Sequence, residues 1–127
     1  MERSLSLKLM PGRYVVARLS GDAPIPDVLQ GELVSITRTR DELSIVCGDG
    51  SVLPGARRDD GWRCVRLDGV WAFHETGVLA SITTPLAAAE IGIFALATFD
   101  TDYVLVKEEF IEEAVRVLKA ANHRVET

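Results

Sequence analysis

Residues 93–106 read IFALATFDTDYVLV. Two runs of aliphatic, β-branched and aromatic residues flank a short polar stretch, which is the pattern of an antiparallel hairpin. Strands are expected over 92–99 and 102–106, joined by a tight turn at Asp100-Thr101. Residues 33–46, LVSITRTRDELSIV, have the same form and align with no gap at an offset of 60. Leu33 then falls on Ile93, Ile36 on Leu96, Leu43 on Tyr103, Ile45 on Leu105 and Val46 on Val106. Upstream, YVVARL at 14–19 resembles WRCVRL at 62–67, an offset of 48. The chain therefore reads as two copies of a strand followed by a hairpin. The two offsets make the segment between strand and hairpin 12 residues shorter in the first copy, and a helix is what such a deletion would remove.

Working outward, the second copy reads as β-α-β-β-α-β. A strand over 62–73 is expected, with a turn at Asp68-Gly69. Thr76 then caps a helix whose first turn begins at Gly77. Val78, Leu79, Ile82, Leu86 and Ala89 share one face of it. Pro85 lies inside this helix and either kinks it or divides it. After the hairpin, Glu108 and Glu109 suit the first turn of a last helix. Phe110, Ile111, Ala114, Val115, Leu118 and Ala121 form its apolar stripe. Asn122 suits a left-handed stop, and 123–126 an edge strand. In the first copy, a strand over 5–9 turns at Pro11-Gly12 into 14–19. Residues 25–29 offer about one turn of helix, and the hairpin occupies 32–47. Residues 48–61, rich in Gly, Asp and Arg, cannot supply a second helix. This gives an α+β chain with antiparallel sheets and helices on one face: a reduced module over 1–61 and a complete one over 62–127, with the boundary near 59–61. Modules this small are expected to fold together.

Composition narrows the function. The chain has 127 residues, 47% of them hydrophobic, with a formal net charge of −5 and a pI near 5.0. A packed core is expected, and nucleic acid is disfavoured as the main partner. Residues 1–10 lack the unbroken apolar run of a signal peptide. The most apolar stretch, 86–99, is interrupted by Glu90 and is too short to span a bilayer. The expectation is a cytoplasmic protein with no membrane partner. Cys47 and Cys64 each lie in an apolar run with no CxxC and no His at ligand spacing, so both are expected to be buried, reduced and structural, with no metal site. No nucleophile–base pairing and no Gly-rich phosphate loop is present, so no catalytic residue and no cofactor is assigned, and an enzyme is not expected.

Glu75-Thr76-Gly77-Val78-Leu79-Ala80, Gly92-Ile93 and ATFDTDYVLV at 97–106 together resemble the ACT domain, a ferredoxin-like βαββαβ module that typically binds amino acids. The whole chain resembles bacterial tandem-ACT proteins. ATFDTDYVLV is also similar to a stretch of the cytosolic arginine sensors of eukaryotes. His74 departs from the family, in which an Asp commonly stands three residues before the helix-opening glycine. The resemblance implies a regulatory protein that binds a small ligand, an amino acid, at a seam between two ACT modules. Those modules are either the two halves of one chain or two copies in a homodimer. The helix start at Thr76, Gly77, Val78 and Leu79 suits a ligand carboxylate, because it offers free N–H groups and the positive end of the dipole. Glu75, Asp100 and Asp102 suit an ammonium group. The likeness to the arginine sensors implies that Thr98, Phe99 and Asp102 touch ligand. Two alternatives stand beside this. Residues 100–102 also suit plain turn chemistry, and the runner-up for the chain is a dimerisation or protein-interaction module with no small ligand. The acidic turn at 98–102 also contrasts with its partly basic counterpart, Arg38, Thr39, Arg40, Asp41 and Glu42. Either one site was lost, or such turns meet a partner through opposite charges.

Overall fold

A computed structural model describes residues 4–69 and 76–127. Trp71, Phe73, His74 and Glu75 lie outside the described residues. The chain divides into two compact units, Gly12–Trp62, and Met1–Pro11 together with Arg63–Thr127.

The Gly12–Trp62 unit is a four-stranded antiparallel sheet. Its strands are β2 (Tyr14–Ser20), β3 (Ser35–Arg38), β4 (Glu42–Gly48) and the first half of β5 (Arg57–Leu67), in the order β3-β4-β2-β5. This is the ferredoxin-like strand order with loops where both helices would stand. Val15 and Ala17 of β2 and Leu43, Ile45 and Cys47 of β4 alternate onto one face and bury together with Leu53. Leu29, Ala23 and Ala56 cover them from the loops. The turn of helix expected over 25–29 does not form. Pro26 pushes Ile25 out of the helical region, and neither Pro24 nor Pro26 has an N–H to donate. Hydrogen bonds hold the loops instead. Gly48 N–H donates to the Gln30 carbonyl (2.7 Å), and Gln30 N–H donates to Ser51 Oγ (2.9 Å). The Arg58 guanidinium donates to the carbonyls of Ser51 and Asp49 (both 2.7 Å) and to Asp60 Oδ1 (2.9 Å). That bond to Asp60 is the main reason the Arg58 pKa lies above its ordinary value.

β5 runs through residues 59–61, and Gly61, at φ 84, carries a bulge that lets Tyr14 oppose Trp62 while Val16 opposes Asp59. The left-handed conformation at the bulge is what glycine supplies cheaply.

The second unit contains β1 (Ser6–Leu9), the remainder of β5, α1 (Val78–Ala88), β6 (Ile93–Ala97), β7 (Asp102–Lys107), a 3-10 turn (Glu108–Phe110), α2 (Ile111–Ala120) and β8 (Arg124–Glu126). Its strand order is β6-β7-β5-β1-β8. The N-terminal strand β1 thus belongs to the C-terminal unit. Leu7 opposes Leu67 across the antiparallel β1–β5 pair and Val125 across the parallel β1–β8 pair. Leu5, Leu7, Val65, Leu67, Val104 and Val106 present one apolar face. Val78, Ile82 and Leu86 of α1 and Ile111, Ala114 and Leu118 of α2 pack on it. Phe110 does not join this stripe: it sits on the 3-10 turn and is 41% exposed. Asn122 adopts the expected left-handed conformation, φ 71.

α1 starts differently from expectation. Gly77, at φ 76, is the N-cap in place of Thr76, and no side chain caps the helix. Pro85 neither divides nor ends it. Proline at 85 deprives the Ser81 carbonyl of its donor four residues on. His123 supplies the replacement: its Nε2 lies 2.7 Å from Ser81 O. A carbonyl only accepts, so Nε2 carries the proton. Nδ1 is then free to accept from Leu5 N–H, at 3.1 Å. The buried His123 ring, neutral in this arrangement, ties α1 to the start of β1.

The hairpins superpose at an offset of 59 rather than 60. Arg38 opposes Leu43 in one, and Ala97 opposes Asp102 in the other. Ile45, Val46 and Cys47 thereby match Val104, Leu105 and Val106, all buried.

Cys47 and Cys64 are free thiols, both buried. Burial pushes the Cys64 thiol from 9.0 up to about 12, against a lowering by the Arg66 charge. The folded state therefore holds this proton more tightly than the unfolded chain does. Its contribution is complete below pH 9.0 and is lost as pH rises toward about 12. Urea unfolding between pH 9 and 10 should show wild type losing roughly 1 kcal/mol more than Cys64→Ala. Parallel pH profiles for the two proteins would refute this.

Candidate functional site

β5 ends at Leu67, α1 begins at Val78, and the β6–β7 turn spans 98–101. These lie at one end of the C-terminal unit. Only four residues separate the end of α1 from β6, so α1 runs away from the end to which β6 returns. Thr101, 8% exposed, fixes the turn there by donating from Oγ1 to the Leu67 carbonyl (2.7 Å). Within the turn, Thr98 N–H donates to the Thr101 carbonyl (2.8 Å), and Thr98 Oγ1 donates to that same oxygen (3.1 Å). The expected turn at Asp100-Thr101 is therefore centred one residue earlier, on Phe99-Asp100, and Thr98 and Phe99 belong to the turn rather than to the strand.

A cleft of about 290 Å³ opens beside it, lined by Arg66, Leu67, Gly69, Thr98, Asp100, Thr101 and Tyr103. The Asp100 carboxylate takes no hydrogen bond or ion pair among the described residues. Arg66 forms an ion pair with Asp68 (3.0 Å). The cleft thus carries a free anionic acceptor, a cation already balanced by its own carboxylate, and the Tyr103 hydroxyl. A ligand with a cationic group and several donors suits it better than a bare anion does.

Of the residues singled out in the sequence, Thr98 and Asp100 line this cleft. Phe99, 78% exposed, and Asp102, opposite Ala97 in the ladder, are not among its lining residues. Thr76, Gly77, Val78 and Leu79 do not line it either, although they stand at the same end. Thr76 and Gly77 are exposed, and the Val78 side chain is buried in the core. The first helical N–H groups, those of Val78 and Leu79, lack a side-chain cap. A Cβ at Gly77 would meet nothing within 4 Å, so the backbone there is open to approach. Sequence reasoning missed Arg66 and Tyr103. Arg66 lies between the buried Val65 and Leu67, and Tyr103 precedes the buried run Val104, Leu105 and Val106, so local pattern alone marks neither. Among the described residues, no group of three or more His, Cys, Asp or Glu could hold a metal ion. None of their helices is long and apolar enough to cross a membrane.

The ACT domain family profile matches residues 57–120, which include this cleft and both helices. The chain belongs to the ACT domain family. A second profile, described as an N-terminal domain, matches residues 12–53. A crystal structure of an Agobacterium tumefaciens protein superposes with a TM-score of 0.89 at 42% identity, covering 97% of this chain and 92% of that one. The human cytosolic arginine sensor for mTORC1 subunit 1 is 42% identical over 59 residues, which is 46% of this chain and only 18% of the sensor. The ligand-free regulatory subunit of aspartate kinase from Thermus thermophilus shares the fold at 12% identity, TM-score 0.64, over 94% of this ACT protein and 99% of that chain.

Proposed function

We propose that this ACT protein is a non-catalytic, cytoplasmic regulatory sensor that binds an amino acid at the β6–β7 turn. The observation that carries the reading is the Asp100 carboxylate, which has no partner among the described residues and lies in a cleft that also holds Arg66, Thr98 and Tyr103. In this reading Asp100 receives the ligand's cationic group, with Thr98, Phe99 and Asp102 around it. The N–H groups at Thr76, Gly77, Val78 and Leu79 receive its carboxylate. The likeness to the arginine sensor makes a basic amino acid the first candidate. The chain acts as a reduced module joined to a complete one. A second copy of the chain completes the seam at which the ligand sits. No nucleic acid, membrane or cofactor takes part.

Isothermal titration of the full chain with arginine and the other standard amino acids tests this. One of them should bind, and Asp100→Asn or Asp102→Ala should weaken it by about tenfold or more, since each removes a charge from a charge-assisted bond. Unchanged affinity in both variants would overturn the site.

A second reading rests on β6. It is an edge strand of its unit and carries no charged residue, IFALA, and natural edges usually carry a charge or proline against pairing. That strand suits a dimerisation module with no ligand. Ala95→Lys, outward on the edge, would then abolish the dimer in sedimentation without affecting any metabolite response.

A further inference from the structure

The Gly12–Trp62 unit carries a groove of about 720 Å³ between its two loops and the end of β2. Ile25 (49% exposed), Val28 (71%) and Val52 (76%) line it, unusual exposure for large aliphatic side chains gathered in one place. Pro24, Pro26 and Pro54 line it too and fix the local backbone, so the groove is formed in advance of any occupant. Among the described residues, its one charged lining residue is Asp27. Asp22 adds a second carboxylate next to the lining residue Ser20, whose hydroxyl donates to it (2.9 Å). The neighbouring cation, Arg38, is committed to the carbonyls of Gly21 and Ala23.

Beneath the loops lies the sheet face formed by Val15, Ala17, Leu43, Ile45 and Cys47. In the other unit the corresponding face is covered by α1 and α2. We infer that the groove receives an amphipathic helix of a partner protein, with its apolar stripe on Ile25, Val28 and Val52 and a Lys or Arg directed at Asp27. Charge selects a partner over a second copy of this chain. The chain carries a net −5, α1 has no basic residue, and α2, which does carry Arg116 and Lys119, already buries its apolar face in its own core, as α1 does. The spacing that fits is apolar at i, i+3, i+4 and i+7.

The test is fluorescence anisotropy on the full chain with a labelled Leu/Lys peptide of that spacing, about 15 residues long. Controls are a scrambled peptide of equal composition and a Leu/Glu peptide of equal spacing. The Leu/Lys helix should bind about tenfold or more tighter than either control. Val28→Asn and Val52→Asn, both at exposed positions, should remove that advantage, and Asp27→Lys should shift preference toward the Leu/Glu peptide. Equal binding of the scrambled peptide, or unchanged binding by the Val28→Asn and Val52→Asn variants, would overturn the inference. So would sedimentation showing that these variants break up a self-associated chain, because the occupant would then be a second copy.

Discussion

Replacing His123 with alanine should lower the unfolding free energy by about 2–4 kcal/mol, because it orphans two backbone groups at once. Leu5 N–H loses its acceptor and the Ser81 carbonyl loses its donor. Leu5 is 3% exposed and His123 5%, so water reaches neither readily. A double-mutant cycle identifies the cause. Pro85→Ala restores an N–H four residues after Ser81, and the carbonyl no longer depends on the imidazole. In that background His123→Ala should cost about 1 kcal/mol less than in wild type. Urea unfolding of the four proteins checks this. Strict additivity would mean that the imidazole does not stand in for the missing N–H at Ser81.

Leu118→Ala should cost about 2–5 kcal/mol, whereas Phe110→Ala should cost under about 1 kcal/mol. Both residues fall on the apolar stripe read from the sequence. Leu118 is 1% exposed and packs against the sheet face of the C-terminal unit, so its removal leaves a cavity. Phe110 is 41% exposed, because the helix opens with a 3-10 turn that rotates it off the α-helical face. Thermal unfolding of the two variants separates them. Equal losses would place Phe110 in the core and contradict the 3-10 turn.

The same pair shows what was legible in the sequence and what was not. Helical periodicity located α2 and its buried positions Ile111, Ala114 and Leu118. It could not register the tighter turn preceding them, which changes the angle between neighbours. Hairpin composition located β3, β4, β6 and β7, but a gap-free match slipped by one residue. Residues 45–47 and 104–106 are buried on consecutive positions, and without alternation the hydrophobic pattern does not set the register. The turn chemistry does set it. Thr39 Oγ1 accepts from Glu42 N–H (3.1 Å) as Thr98 Oγ1 accepts from Thr101 N–H (3.4 Å), so Thr39-Arg40-Asp41 matches Thr98-Phe99-Asp100. The placement of β1 beside β5 and β8 is a choice of distant partner, to which local pattern is blind. At the cleft, Thr98 and Asp100 announced themselves as turn residues. Arg66 is visible only once β1 and β5 are paired and β5 is seen to end at Leu67.

The most direct test of amino-acid binding is a thermal-shift panel of the standard amino acids on the purified chain, each at high concentration, with Asp100→Asn run in parallel. A ligand present at 100 times its dissociation constant adds roughly 2.7 kcal/mol, a clear rise in Tm. The predicted result is a rise with one amino acid, or one chemical class of them, that disappears in Asp100→Asn. A flat response across the whole panel, or a rise that Asp100→Asn leaves intact, would contradict a sensor site at the β6–β7 turn.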